Sequence, residues 1–184
     1  MKKSIILLII SIVALCVPVQ AQHLKFMGIP LNGTITQFQS KLQAKGMKYN
    51  KSISQQLPAG VRMFNGTFAG EKADVFIYYE PGSKNVYKSK VVTGYPDANS
   101  CNTKYEELKS LLKSKYSDAE SATDYENGHE AFSLRVYDKG NPSGVICIYV
   151  SNNIYAYPMD NEVNIEYVDY VNYLKNDDSK MKDL

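Results

Sequence analysis

Thr34 and Gln37 stand at the head of a run in which Ile35, Phe38 and Leu42 recur at helical spacing. The Thr34 hydroxyl is placed to take an open N–H of the first turn while Gln37 reaches back to the cap, so the pair reads as a capping box. Gln37, Gln39, Lys41 and Gln43 lie largely off the apolar face, and Gly46 stands where a left-handed residue ends a helix. About seventy residues later the plan restarts. Thr103 and Glu106 form a second capping box, and Tyr105, Leu108, Leu111 and Leu112 share a helical face. Two helices that are each apolar along one stripe must bury that stripe against something else. Each of them leads into sheet-forming sequence.

After the first helix, Val61–Phe68 alternates loosely and is interrupted by Asn65-Gly66, a turn or bulge signal. Ala73–Glu80 is rich in β-formers and apolar on both faces, as a central strand would be. Glu80-Pro-Gly-Ser83 is a turn, and Val86–Thr93 returns with Lys84, Lys88 and Lys90 outward on what reads as an edge strand. Pro96–Ser100 reads as a loop. After the second helix, Asp118–Glu130 is acidic and reads as a solvated loop. Ala131–Tyr137, Gly144–Val150 and Val163–Tyr170 read as strands, with Lys139–Gly144 a hairpin-like turn. Residues 163–174 also suit a helix through Val163, Tyr167, Val171 and Leu174, and their β-branched and tyrosine content favours strand. The tail 175–184 is charged.

An offset of about 70 maps Ile35, Phe38 and Leu42 onto Tyr105, Leu108 and Leu112. It also maps Val75-Phe-Ile-Tyr-Tyr79 onto Val145-Ile-Cys-Ile-Tyr149. The expectation is an α+β fold in which residues 22–174 form a single domain of two pseudo-repeats, 24–95 and 96–174. Each repeat would be a helix plus antiparallel strands, with the helices on one face of the sheet.

Residues 1–21 have the parts of a secretory signal: Lys2 and Lys3, an apolar run Ile5–Leu15, and Val19-Gln-Ala21 as a cleavage site before Gln22. The run is shorter than the roughly 20 residues a membrane span needs. Leu15 before Cys16 disfavours lipid anchoring, since small residues normally precede a lipidated cysteine. Lys2 and Lys3 account for the formal net charge of +2, and the rest of the chain is balanced between acids and bases. A balanced chain has no global field to gather nucleic acid. The expected product is therefore exported, periplasmic or secreted, with no integral membrane span after cleavage. Cys101 and Cys147 survive cleavage. In an oxidising compartment they read as one disulfide, with two separate buried thiols as the competing reading, and spacing does not decide between them.

The stretch Leu24-Lys-Phe-Met-Gly-Ile-Pro-Leu-Asn-Gly-Thr34 resembles the mature start of small exported proteins of Gram-negative gut bacteria that have no characterised function. The helix Tyr105–Tyr116 and the strand Ile165-Glu-Tyr-Val-Asp169 are similar to that group as well. The resemblance implies compartment and fold and carries no activity. In layout alone, the paired helix-and-sheet plan is similar to the secreted β-lactamase-inhibitor-like fold, whose members tend to bind other proteins.

Catalytic signatures are weak. No Gly-x-Ser-x-Gly elbow is present, and Cys147 or Cys101 with His129 makes a poor Cys/His pair, since Cys147 sits in an apolar strand and His129 in a polar turn. His23 stands at the expected mature end with no fixed structure foreseen. Asp118, Glu120, Asp124, Glu126 and Glu130 do not fit a calcium loop, and no cofactor or metal is expected. Fifteen tyrosines and no tryptophan suit sheet and contact surfaces. Tyr155 and Tyr157 at a loop tip, with Tyr149 and Tyr78 on strands, are the candidate binding residues for a protein or glycan at the cell envelope. The alternative is a small envelope hydrolase using carboxylate chemistry.

Overall fold

The computed structural model describes residues 22–153 and 160–181. Residues 1–21, which read as an export signal, and Tyr155 and Tyr157 lie outside the described residues. Strands β1 (Lys25–Phe26) and β2 (Ile29–Pro30) form a small hairpin. Helix α1 (Ile35–Ala44), strand β3 (Lys48–Tyr49), a single turn α2 (Lys51–Ser54), β4 (Val61–Phe68), β5 (Glu71–Tyr79) and β6 (Val86–Tyr95) complete the first half. Helix α3 (Ala98–Lys115), β7 (Glu120–Glu126), β8 (His129–Asp138), β9 (Asn141–Asn152), β10 (Asn161–Asp169) and α4 (Tyr170–Met181) make the second. The eight strands from β3 onward form one antiparallel sheet in the order β3-β4-β5-β6-β10-β9-β8-β7. This is a mixed α+β fold, and each half is a helix followed by four strands, laid outward from a shared β6–β10 centre.

Alternation sorts the two faces. On one face Val75, Ile77, Val91, Ile146, Ile148, Val163 and Ile165 are buried under Ile35, Phe38 and Leu42 of α1 and Cys101, Leu108 and Leu112 of α3. The β1–β2 hairpin closes one end of this core: Phe26 stacks on Phe68 with ring centroids 5.8 Å apart and meets Tyr167 edge-on at 5.3 Å. The capping box at Thr34 and Gln37 is present as expected, and Gly46 takes the left-handed conformation that releases the chain from α1.

Several sequence expectations are corrected. Helix α3 starts at Ala98, not Thr103: Asp97 caps it, its carboxylate accepting Ser100 N–H at 2.8 Å and the Ser100 hydroxyl at 2.7 Å. The stretch after Pro96 is thus the first turn of a helix rather than a loop. Asn65-Gly66 does not break β4, because Gly66 is where Met47 packs against the strand and a Cβ there would strike the Met47 sulfur. The acidic segment contains an edge strand, β7, paired along its length with β8. β6 is central, not an edge, so Lys88 and Lys90 lie in the middle of the sheet. Residues 163–174 are both things in turn, strand to Asp169 and helix from Tyr170, and α4 carries on into the charged tail.

The offset of 70 holds for the helices but not for the strands. It sets core-facing Val75 and Ile77 against Val145 and Cys147, which point the other way. Register pairs Tyr78 with Lys88 on the face that carries Glu166, and Cys147 pairs with Glu166 directly. A step of one residue more aligns Val75 and Ile77 with Ile146 and Ile148, and Tyr78 with Tyr149. In a strand a slip of one residue exchanges the faces.

His23 is fixed rather than loose. Asp169 is buried at the end of β10 and accepts Leu24 N–H at 2.7 Å and Asn172 N–H at 2.9 Å, with His23 Nδ1 3.0 Å away. The Asn172 amide donates to the Leu31 and Val86 carbonyls, both at 2.9 Å. One carboxylate therefore ties the N-terminal segment to the start of α4.

Replacing Phe38 with Ala is expected to cost about 3–5 kcal/mol in urea unfolding, the cost of an aromatic cavity in a closed core. Asp97→Ala should lower the melting temperature and Thr103→Ala should leave it unchanged. The reverse ranking would put the α3 cap back at Thr103.

Candidate functional site

The face opposite α1 and α3 carries a belt of polar and aromatic side chains across β5, β6, β10, β9 and β8. Cross-strand register brings them together: Tyr78 faces Lys88, Lys90 faces Glu166, and Glu166 faces Cys147. Glu166 is at the centre and only 1% exposed. One carboxylate oxygen forms an ion pair with Lys88. The other accepts the Tyr149 hydroxyl at 2.9 Å and has Lys90 Nζ at 3.6 Å. Lys90 Nζ also donates to the Tyr149 oxygen at 3.0 Å. Each lysine lies over a tyrosine ring as well, Lys88 over Tyr78 at 5.3 Å and Lys90 over Tyr149 at 5.4 Å from the centroid.

The turn between β7 and β8 bends over this belt. Asn127, in a left-handed conformation, donates to the Tyr149 oxygen at 3.0 Å and to Glu166 at 3.3 Å. His129 lies flat on the Tyr149 ring at 5.7 Å. The hairpin tip thereby buries Tyr149 and Glu166 while Tyr78, Lys88 and Lys90 stay partly exposed. Burial first, then the Glu166 anion, pushes the Tyr149 and Tyr78 hydroxyls above the ordinary tyrosine range. These tyrosines hold protons firmly. They suit hydrogen bonding and stacking rather than proton abstraction.

Toward the loop end, the same face continues as an amide and carboxylate network. Asn65 donates to Asp74 at 2.6 Å and accepts from Asn50 at 2.9 Å. Glu162 accepts from Asn153 at 3.1 Å and from Ser151 at 3.4 Å, and Asn164 donates to Ser151 at 2.8 Å. A shallow cavity of about 750 Å³ opens here beside the C-terminus of α1.

Of the sequence candidates, Tyr78 and Tyr149 come to this one face, Tyr78 partly exposed and Tyr149 buried. Glu166, Lys90 and Asn127 were not singled out together, since only strand register makes them neighbours. Cys101 and Cys147 are free thiols. The sheet lies between them, with Cys101 on the core-facing side of α3 and Cys147 in the small cluster with Ala131 and Tyr149. Desolvation pushes the Cys101 thiol up to about 11 and raises that of Cys147, which contacts Ser133 Oγ at 3.2 Å. A thiol so disfavoured as thiolate is a poor nucleophile. His129 is committed to the Tyr149 ring, so a Cys/His pair is not assembled. Among the described residues, no cluster of three or more His, Cys, Asp or Glu is placed to hold a metal ion. Comparison with protein families, with curated proteins and with solved structures finds no match to this chain.

The ionic belt makes an asymmetric prediction. Removing both Lys88 and Lys90 by substitution with Ala strands a buried carboxylate and should cost about 3–5 kcal/mol. Glu166→Gln leaves two lysines that reach solvent and should cost less. Combining it with the lysine pair should recover part of the loss in chemical denaturation. Alkaline unfolding checks the tyrosines. Burial raises Tyr149 and Tyr167, and raises Tyr95 to about 12, whereas unfolded tyrosines ionise at about pH 10. Above that pH the unfolded chain releases protons that the folded one keeps, so stability should fall as pH rises past about 10.

Proposed function

We propose that this protein is an exported, non-catalytic binding module of the cell envelope that recognises a protein or a glycan through the helix-free face of its sheet. One observation carries the reading: the centre of that face is a hydrogen-bonded ionic belt with Tyr78, Lys88 and Lys90, each partly exposed, presented from adjacent strands. A face that only had to meet water would need no buried glutamate at its middle, since desolvating a carboxylate is costly even when it is paired. Preorganised lysines and a ring fixed by its neighbours lose little freedom on binding, which favours recognition. Side chains standing on strands are also held more firmly than those on loops.

Export is supported by the charged, apolar and small-residue segments of residues 1–21. Among the described residues no helix is long and apolar enough to cross a membrane. The hydrolase alternative finds less support: Glu166 is tied to Lys88 and Tyr149, Asp74 to Asn65, and Glu162 to Ser151 and Asn153. Each carboxylate of that set is engaged by neighbouring side chains, whereas acid–base hydrolysis needs a pair of acids open to substrate.

The test uses residues 22–184 as bait against envelope extract and an array of glycans. Tyr78→Ala, Lys88→Ala and a remote control, Lys113→Ala on α3, are run beside the wild type. One protein or glycan should be retained by the wild type and the control, and lost from both open-face variants at unchanged secondary structure. Capture unaffected by Tyr78→Ala and Lys88→Ala would move the site off this face.

A further inference from the structure

The cavity at the loop end of the open face has a charge pattern that selects among ligands. It is lined by Gly94 on β6, a strand position with no side chain, by Glu162 opposite it on β10, and by Lys72 on β5. A glycine inside a strand is where another molecule is able to approach the backbone closely. Lys45 and Lys48 stand on its rim, Lys45 at the end of α1 and Lys48 on β3. All three lysines are exposed, and among the described residues none of them has an acidic partner within ion-pair distance. Lys88, Lys90, Lys104 and Lys109 elsewhere are each paired with glutamate. The two acids that line the cavity are held by neutral donors, Asp74 by the Asn65 amide and Glu162 by Ser151 and Asn153, and keep their charge. The lining thus carries three unpaired ammonium groups against two carboxylates, a local excess of one positive charge.

We propose that this cavity binds an acidic glycan, a polysaccharide carrying carboxylates along its chain. The inference rests on the reading of this face as a binding surface and names its ligand class. Three point charges spread over separate elements match charges spaced along a polymer better than one compact anion. A compact phosphate is typically held by a helix N-terminus, a glycine-rich nest or arginine forks, whereas the helix end at this rim is the C-terminus of α1. Further along the same face Phe76 and Tyr78 are partly exposed and offer flat apolar surface to sugar rings. The chain beyond the export signal carries no net positive field, so attraction of a polyanion has to be local.

The experiment is calorimetric titration of residues 22–184 with oligomers of polygalacturonate, alginate and hyaluronate, with dextran and single-stranded DNA as controls. At least one carboxylated glycan is expected to bind. Its affinity should drop about tenfold or more in the Lys45→Ala/Lys48→Ala/Lys72→Ala variant, and by a similar factor between about 50 mM and about 300 mM salt. Dextran should not bind. Lys45→Arg/Lys48→Arg/Lys72→Arg should keep most of the affinity, which separates charge from fold. The proposal is overturned if none of the three acidic glycans binds, if dextran binds as well as they do, if DNA binds more tightly, or if the triple alanine variant binds undiminished. A partner lost with Tyr78→Ala but indifferent to the three lysines would leave the binding face standing and remove only its acidic-glycan ligand.

Discussion

Val91 faces Ile165 across the central pair of strands, and one residue along, Lys90 faces Glu166. These two neighbouring pairs state the constraint on which the rest of the molecule depends. Successive residues of β6 and β10 must point to opposite faces, so a single register fixes an apolar layer under the helices and an ionic belt on the other side. Slipping β10 by one residue would drive Glu166 beneath α3 and expose Ile165, a double penalty of desolvated charge and lost apolar burial. The belt therefore helps to specify the register that the core requires. Each half then adds strands outward from this pair, which is how one helix per half comes to cover the same face.

How much of this was legible in the sequence depended on the range of the interaction. The cap at Thr34 and Gln37, the apolar stripe of α1 and the left-handed stop at Gly46 are local features, and all stand as read. The α+β class followed from alternating periods. Errors arose where a local signal was ambiguous or a distant contact outweighed it. Thr103 and Glu106 have the spacing of a capping box, but Asp97 follows a proline and caps first, so the helix is already formed when it reaches Thr103. Asn65-Gly66 has the composition of a turn, yet Met47 needs the space. The acids of β7 have the composition of a solvated loop, and pairing to β8 makes them an edge strand. His23 is fixed by a carboxylate 146 residues away, which no window on the sequence contains.

The candidate site was only half legible for the same reason. Tyr78 and Tyr149 stood out as tyrosines on strands, and the one-residue correction to the repeat makes them counterparts, each beneath a lysine. Their roles nevertheless differ. The β7–β8 tip, through Asn127 and His129, covers Tyr149, while Tyr78 stays partly exposed. The two rings thus stand at matching strand positions, and the unequal hairpins decide which ring is covered.

Why a glutamate should be buried at the middle of an otherwise uncovered face is a question of energetics. An apolar side chain there would be at least as stabilising as a desolvated ion pair, but it would leave a hydrophobic patch on a face that no helix covers, with the attendant risk of association. Fully exposed charges would avoid both costs and leave the lysines free to wander. Glu166, shared among Lys88, Lys90 and Tyr149, fixes two long side chains on neighbouring positions of β6 and holds the surface polar. The lysines of the adjoining cavity have no such anchor. The face thereby combines a rigid centre with an unpaired, adaptable margin. The middle sets geometry, and the margin leaves its ammonium groups unpaired.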